Sequence, residues 1–223
     1  MRTIVYVDGY NLYYSLLTKS AYKWLDLNGL FARLVRPIEP VSEIVLVKYF
    51  TAPILGSMAS DPRAEQRQAH YHRALKAAGG IEIIKGFHSL TITTGVLVDP
   101  IADIRPGTRC RIQVMQEKQT DVSLALHLYR DAARGACDQL VLCSNDSDLE
   151  PALAMIRTDF PEIRIGLVLP RSAGNRGARR SGSLERHAHW TRESVHAADL
   201  ASSQLADRLL DHRKRTIRRP AEW

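Results

Sequence analysis

Residues 3–12 read Thr-Ile-Val-Tyr-Val-Asp-Gly-Tyr-Asn-Leu, and this stretch indicates the fold class. The apolar, largely β-branched run Thr3–Val7 is typical of a buried strand. Asp8-Gly9 then forms a tight turn, and Asn11–Leu17 has helical character. A chain that opens as strand, turn and helix is typical of α/β proteins, whose strands lie parallel in one sheet.

Strand and helix patterns continue to alternate along the chain. The patterns predict further strands at 44–50, 81–87, 139–143 and 163–169, and helices at 29–36, 61–78, 121–136 and 149–158. The first of these helices is expected to be capped by Asn28. The sequence therefore predicts an α/β fold with a mostly parallel sheet of about five strands and helices on both faces.

The length of 223 residues, 45% of them apolar, is enough for one sizeable core with extensions. The main domain is predicted at 1–170, with a hairpin-like insertion at about 88–116 between turn signals. Residues 171–186 are rich in Gly, Ser and Arg and predict a flexible, basic loop. Residues 187–223 predict a C-terminal extension: a short strand, a helix from about Ser194 to Leu210 and a basic tail.

The chain is basic, with 31 Lys and Arg against 24 Asp and Glu, a net charge of +7 and a pI near 9.5. Such a surface attracts polyanions, which makes RNA a candidate partner, although many basic proteins bind no nucleic acid. The sequence is also compatible with a homo-oligomer.

Cysteine usage and the hydropathy pattern bear on the compartment. Three cysteines, an odd number without C-x-x-C spacing, argue against a disulfide framework and a zinc knuckle. No signal-peptide pattern opens the chain, and no apolar stretch approaches the ~20 residues of a membrane span. We therefore expect a cytoplasmic protein without a membrane partner.

Four aspartates in three separate stretches are the strongest functional signal. Asp8 directly follows a predicted strand, Asp146 and Asp148 lie in the loop directly after another, and Asp121 begins a predicted helix. Because parallel strands end at one edge of the sheet, these carboxylates are expected to meet there and to repel one another unless a cation holds them. Clustered oxygen ligands suit Mg²⁺ or Mn²⁺. A metal held in this way can activate water for phosphodiester hydrolysis.

Other polar residues in the same stretches are candidates for the site. Asn11 lies one helical turn after Asp8 and is expected either to orient a carboxylate or phosphate or to bond a helix end. Glu117 is a further ligand or, more simply, a cap or the partner of Lys118. Tyr10 offers a ring for stacking an unpaired base or for the core. The predicted substrate-binding set comprises Tyr10, Lys118, Ser144, Asn145, Arg171, Arg176, Arg179 and Arg180.

Three blocks of sequence together resemble the signature blocks of the NYN domain family, relatives of the PIN nucleases. They are the stretches 4–12, 117–125 and 140–153, and the resemblance covers residues 1 to about 170. It implies a Rossmann-like PIN fold and a metal-dependent nuclease, usually acting on RNA, that leaves a 5′-phosphate and a 3′-hydroxyl. It also implies that Asp8, Asp121, Asp146 and Asp148 hold Mg²⁺ or Mn²⁺, with Asn11 beside them.

Three functional hypotheses follow from the sequence. The first is a metal-dependent ribonuclease that uses the clustered aspartates. The second is a non-catalytic RNA-binding or regulatory module of the same family, and the complete carboxylate set counts against it. The third is a small-molecule hydroxylase, because some NYN-like sequences are named so and open α/β sheets also hold redox cofactors. However, no G-x-G-x-x-G pattern follows the first strand.

Overall fold

The computed structural model describes residues 1–56, 61–98, 105–173 and 182–223. Within these residues the strands, in chain order, are β1 (Arg2–Asp8), β2 (Glu43–Thr51), β3 (Ile81–Lys85), β4 (Phe87–Val96), β5 (Arg109–Lys118), β6 (Gln139–Cys143), β7 (Arg164–Val168), β8 (Trp190–Arg192), β9 (Arg208–Leu210) and β10 (Thr216–Arg218).

The helices alternate with these strands over most of the chain. They are α1 (Gly9–Leu12), α2 (Leu27–Val35), α3 (Ala64–Ala78), α4 (Thr120–Ala133), α5 (Glu150–Asp159), α6 (Gly182–Glu185) and α7 (Ala197–Ala201). A π-helical turn, Tyr13–Leu17, continues α1, and a 3₁₀ turn, Ser147–Leu149, precedes α5.

Six parallel strands form the central sheet in the order β3-β2-β1-β6-β7-β8. β1 and β6 are neighbours in the middle, and the strands that follow each of them lie on opposite sides. The direction of the strand order therefore reverses at this pair, which opens a crevice at the carboxyl ends of β1 and β6. The structure confirms the predicted α/β fold and places the ends of two aspartate-bearing strands side by side.

Side chains from the sheet pack against helices on both faces, as parallel sheets require. On β1, Val5 and Val7 belong to one core, which includes residues of α2 and α3. Ile4 and Tyr6 point to the other face, where residues of α4 and α5 complete a second core. This alternation along a fully buried strand fixes the register of β1, since a shift by one residue would exchange the two cores.

The sheet has one strand more than the five or so predicted, because β8 pairs with β7 from Gly166↔Trp190 to Val168↔Arg192. The C-terminal segment also contributes to the first core, through Val195, Leu200 and Ile217.

The predicted helix from Ser194 to Leu210 is wrong except for one short stretch. Only α7, Ala197–Ala201, is helical. After it, the carbonyl oxygen of Ser203 accepts from the amide of Asp26, and the amide of Leu205 donates to the carbonyl of Trp24. These long-range backbone bonds replace the bonds between i and i−4 that a helix needs.

Two predicted helix starts also differ from the structure. α2 begins at Leu27, with Asp26 in the N-cap position, because the side-chain amide of Asn28 donates to the carbonyl oxygen of Gly79 instead of capping the helix. The helix predicted from Asp61 begins at Ala64, after a turn in which the carboxylate of Asp61 accepts from the amide of Arg63.

β4 and β5 form a separate antiparallel hairpin, paired from Phe87↔Lys118 to Val96↔Arg109. It occupies most of the segment predicted as an insertion, of which residues 99–104 lie outside the described ranges. β5 leads through Gln119 into α4. The hairpin therefore delivers the start of α4, which carries Asp121, to the crevice.

The connection at Gln119 gives a stability prediction. Gln119 has φ of +72°, a left-handed conformation that favours glycine. We expect Gln119→Gly to raise the free energy of unfolding by up to about 1 kcal/mol, because a residue without Cβ adopts this conformation without strain. Urea denaturation measures it. The control is Gln116→Gly, which removes another exposed glutamine from within β5 and should destabilise the protein. Equal effects of the two substitutions would contradict the strain at Gln119.

The structure also bears on membrane-spanning segments and on the cysteines. Among the described residues, no helix is both long and apolar enough to cross a membrane. Cys110, Cys137 and Cys143 are all free thiols.

Candidate metal centre

Asp8 ends β1 and turns the chain into α1. One oxygen of its carboxylate accepts from the amide of Asn11 at 3.0 Å and so caps α1, and the other accepts from the hydroxyl of Ser144 at 3.0 Å. The glycine that follows is required by close packing, because a Cβ on Gly9 would lie 2.6 Å from the carbonyl oxygen of Phe50. Asp8 is consequently buried and held at both oxygens, although neither partner neutralises its charge.

The loop after β6 is organised in a similar way around Asp146. Its amide donates to the hydroxyl of Ser144 at 3.1 Å, and its carboxylate accepts from the amide of Asp148 at 3.0 Å, which caps the 3₁₀ turn. The Ser144 hydroxyl therefore joins the loops that follow β1 and β6. Ser144 is fully buried, so this residue, predicted to contact substrate, holds the carboxylates in place.

Asn11 and Asn145 form a second connection between the two loops. The side-chain amide of Asn11 donates to the side-chain oxygen of Asn145 at 2.8 Å, and the Asn11 oxygen accepts from the backbone amide of Asn145 at 3.3 Å. This reciprocal pair fixes the spacing of the two loops at the edge of the sheet. The structure thus gives both asparagines positioning contacts.

The third carboxylate comes from Asp121 in the first turn of α4. One oxygen from each of Asp8, Asp121 and Asp146 lies within 4.8 Å of the other two. Burial falls from Asp8, which is buried, to Asp146, which is partly exposed, and Asp121, which is exposed. The group is therefore closed on the protein side and open toward solvent, as a site that binds both a metal and a substrate requires.

The carboxylates of this group hold their protons more strongly than isolated ones. Burial raises the pKa of Asp8 to about 6, and the charges of Asp121 and Glu117 add to that rise against the hydrogen bonds from Asn11 and Ser144. Burial also raises the pKa of Asp121, with further contributions from Asp146 and Asp148. The pKa of Glu117 is raised by burial, opposed by a hydrogen bond from Thr120. Mutual repulsion of this kind is relieved by a bound cation.

The raised pKa of Asp8 predicts a pH-dependent loss of stability in metal-free protein. The native state keeps the Asp8 proton up to about pH 6, whereas an unfolded Asp loses it near pH 3.8, so the stability contribution of Asp8 falls as pH rises through that window. A shift of this size corresponds to up to about 3 kcal/mol. We expect Asp8→Asn to melt at a higher temperature than the parent above pH 6 in EDTA, with the difference shrinking toward pH 4.

Thermal melts of both proteins between pH 4 and pH 7.5 measure this difference. The control is Asp207→Asn, which neutralises an aspartate whose side chain is 85% exposed and should show no such trend. A difference between the parent and Asp8→Asn that stays constant with pH would contradict the buried charge at Asp8.

Comparison with known proteins can now be set beside this geometry. The family model of the NYN domain matches residues 2–175. The chain belongs to the NYN domain family. The matched range contains β1, the hairpin, the start of α4 and the loop after β6, and hence all members of the carboxylate group.

One relative and one solved structure are similar to this NYN protein. It is 40% identical over 240 residues to 6-hydroxy-3-succinoylpyridine 3-monooxygenase HspA of Pseudomonas putida (strain DSM 28022 / S16), an alignment covering 100% of this chain and 75% of that protein. It also resembles the crystal structure of VPA0982, a protein of unknown function from Vibrio parahaemolyticus RIMD 2210633. The TM-score is 0.52 at 20% identity, covering 92% of this chain and 96% of that one. The second likeness shows the shared fold alone.

The remaining predicted site residues take different places around the carboxylate group. Asp148 is exposed and contributes charge rather than one of the three converging oxygens. The hydroxyl of Tyr10 donates to the carbonyl oxygen of Ala52 at 3.0 Å, and its ring contacts the rings of Tyr14 and His88. Lys118 is exposed at the end of β5, directly before the turn into α4.

The predicted phosphate-binding arginines are only partly described. The guanidinium of Arg171 donates to the carbonyl oxygen of Glu193 at 2.6 Å and lies 3.5 Å from the Glu193 carboxylate. It therefore links the residues after β7 to the segment before α7. Arg176, Arg179 and Arg180 lie outside the described residues.

Two residues beside the carboxylate group were missed by the sequence reasoning. Tyr49, near the end of β2, packs its ring against Gly9, and His88 on β4 meets the ring of Tyr10 edge-on at 5.9 Å. The position of Tyr49 could have been predicted from the strand pattern. The parallel pairing of β1 with β2 places it opposite Val7, one residue before the pair Asp8↔Phe50. The position of His88 could not have been predicted, because it depends on the orientation of the β4–β5 hairpin.

Proposed function

We propose that this protein is a divalent-metal-dependent nuclease that hydrolyses phosphodiester bonds in RNA. The observation that carries the proposal is the convergence of Asp8, Asp121 and Asp146 within 4.8 Å at the crevice of a parallel sheet. Membership of the NYN family, related to the PIN nucleases, supports the same activity. The net charge of +7 supports a polyanionic substrate.

The residues present fit Mg²⁺ or Mn²⁺ better than a softer metal. The three converging donors are carboxylate oxygens, and no cysteine or histidine belongs to the group among the described residues. Hard oxygen donors favour these ions, which keep several waters when protein ligands are few. When bound, such an ion lowers the pKa of water and neutralises charge on the non-bridging phosphate oxygens.

The residues around the site have two roles, metal binding and positioning of the metal ligands. Asp8, Asp121 and Asp146 would hold the ion through one carboxylate oxygen each. Ser144 orients Asp8, and the pair Asn11 and Asn145 keeps the two loops at a constant distance. In the reaction, the oxygen of water bonds to phosphorus as the bond from phosphorus to the 3′ oxygen breaks. The 3′ oxygen takes up a proton, and the products are a 3′-hydroxyl and a 5′-phosphate.

The direct test is incubation of the purified protein with end-labelled single-stranded RNA and DNA in EDTA, Mg²⁺ and Mn²⁺. We expect cleavage of RNA in one or both metals, none in EDTA, and products carrying 5′-phosphate ends. Salt-sensitive RNA binding without turnover in either metal would instead support a non-catalytic RNA-binding module and overturn the nuclease proposal.

A second candidate function is hydroxylation of a small heteroaromatic compound. It is favoured by the 40% identity to a protein named 6-hydroxy-3-succinoylpyridine 3-monooxygenase. Such a reaction consumes dioxygen and two electrons from a donor such as a reduced nicotinamide or flavin. In this chain β1 leads into Asp-Gly-Tyr-Asn, and not into the glycine-rich pattern of a dinucleotide-binding turn.

The two candidates are separated by one set of measurements. An absorption spectrum of the purified protein reveals a bound flavin or haem. NADH consumption is then followed with and without 6-hydroxy-3-succinoylpyridine. Substrate-dependent NADH oxidation with a hydroxylated product would support the second candidate, whereas a featureless visible spectrum and unchanged NADH would count against it.

A further inference from the structure

A cleft of about 340 Å³ lies beside the turn that follows Asp8. Gly9 and Tyr10, the two residues directly after Asp8, line it, and the far wall is formed by the start of α3. Its volume is in the range of small-molecule pockets. The aromatic residues that line it are Tyr10, Tyr13, Tyr14, Tyr49, Tyr71 and Trp223.

The tyrosines after β1 present a flat, accessible surface in this cleft. The rings of Tyr10 and Tyr14 are stacked, 5.8 Å apart and 14° from parallel, and Tyr13 meets Tyr14 edge-on at 5.4 Å. Tyr14 is 66% exposed, so one face of its ring is supported from behind and open in front. A supported, exposed aromatic ring is the usual platform for stacking an unpaired base.

Tyr49 connects the lining of the cleft to the residue that follows Asp8. A Cβ on Gly9 would lie 2.7 Å from the Cζ atom of Tyr49, so the end of this ring lies against the residue that follows Asp8. Burial raises the pKa of Tyr49, with smaller contributions from the charges of Tyr10 and Asp8. The same chain segment therefore carries a carboxylate on one side and the floor of an aromatic cleft on the other.

The charged groups of the cleft lie at its edge. Arg67 is held by Asp61 and lies 3.6 Å from the carboxylate of Glu222, so its charge is largely matched. Arg63 and Lys23 add two cationic side chains to the lining. An aromatic floor with cations at the rim complements a flat ring that carries an anionic group.

We propose that this cleft is a nucleobase subsite, which stacks one unpaired base of the RNA against Tyr14 while the neighbouring phosphate reaches the carboxylate group. The inference rests on the proposed nuclease function and assigns a role that the metal centre does not provide. A base and its phosphate are covalently joined, so a strand can occupy both places at once. A small aromatic acid would fill the cleft alone and gain nothing from the adjacent carboxylates.

The experiment measures binding without metal or turnover. 2-Aminopurine riboside 5′-monophosphate is titrated with the protein in EDTA, where stacking quenches its fluorescence. We expect quenching that adenosine 5′-monophosphate reverses and that ribose 5-phosphate and pyridine-3-carboxylate leave unchanged. Tyr14→Ala should weaken binding at least about five-fold, since stacking on one aromatic side chain contributes roughly 1–3 kcal/mol.

Two variants serve as controls. Tyr14→Phe keeps the ring and should bind as the parent does. Tyr129→Ala removes a tyrosine outside this cleft, whose ring packs on Phe160, and should also leave binding unchanged. Circular dichroism of each variant verifies that it is folded.

Three results would overturn the proposal: no quenching by the parent, equal quenching by Tyr14→Ala, or displacement of the probe by pyridine-3-carboxylate at or below the adenosine monophosphate concentration. Failure of the nuclease function would be seen separately, as an absence of metal-dependent cleavage. Asp146→Asn should abolish cleavage and retain the quenching, which keeps the two conclusions distinguishable.

Discussion

Asp146→Asn and Asp8→Asn are each expected to reduce RNA hydrolysis by on the order of 10³-fold in Mg²⁺ or Mn²⁺. Each substitution removes one of the three converging carboxylates and leaves a side chain of the same shape. A neutral amide binds a hard divalent cation weakly, so both metal affinity and charge neutralisation at the phosphate are lost. Initial rates on labelled RNA measure the effect, with metal affinity followed by calorimetry.

Matched variants separate loss of the metal from loss of the fold. Asp207→Asn replaces an exposed aspartate and should cleave as the parent does. Ser144→Ala removes the hydroxyl that bonds Asp8 and should lower the rate by about 10- to 100-fold, the usual effect of losing a partner of a metal ligand. RNA affinity in EDTA should be nearly unchanged in Asp146→Asn. Cleavage by both Asp8→Asn and Asp146→Asn at the parental rate would refute the metal centre.

The part of this site that could be predicted from sequence is the part encoded by strand ends. β1 and β6 are short and largely buried; β1 ends at Asp8, and Asp146 lies in the loop that follows β6. Parallel strands necessarily end at the same edge, so the meeting of Asp8 with Asp146 follows from local patterns. Asp121 was also included in the predicted group, but strand order alone does not fix its position, because a helix start has no fixed place relative to a sheet.

What could not be predicted depends on contacts between segments far apart in the chain. The aromatic cleft joins the turn after β1 to α3 and to Trp223, and no periodicity links these segments. The segment at 202–210 contains residues compatible with a helix, yet its backbone bonds to residues 24–26 hold it extended. Sequence patterns describe local preference, and tertiary hydrogen bonds override it where the two conflict.

A buried ion pair within the second core contributes to stability far from the metal centre. The ammonium of Lys48 on β2 contacts the carboxylate of Asp131 on α4, and both side chains are about 95% buried, with exposed fractions of 5% and 6%. The hydroxyl of Tyr6 donates to the same carboxylate at 2.7 Å. Burial works against ionisation, yet the hydrogen bonds from Lys48 and Tyr6 hold the pKa of Asp131 below its ordinary value.

Asp131→Ala is therefore expected to lower the free energy of unfolding by about 3–5 kcal/mol, measured by urea denaturation. The cost arises because Lys48 stays buried without its closest anion, and because the Tyr6 hydroxyl loses its acceptor. Asp207→Ala, which removes an exposed partner of Arg219, should cost less than about 1 kcal/mol.

The double variant Lys48→Met with Asp131→Leu tests the origin of that cost. It removes both charges and fills the space with apolar atoms, so it should recover most of the stability lost in Asp131→Ala. If lost packing causes the cost, the single variant Asp131→Leu, which refills the space and leaves Lys48 charged, should recover as much stability as the double variant. If the charge of Lys48 is responsible, the double variant should recover the lost stability. RNA cleavage should not change in these variants, because Asp131 lies in the last turns of α4 and Asp121 in its first.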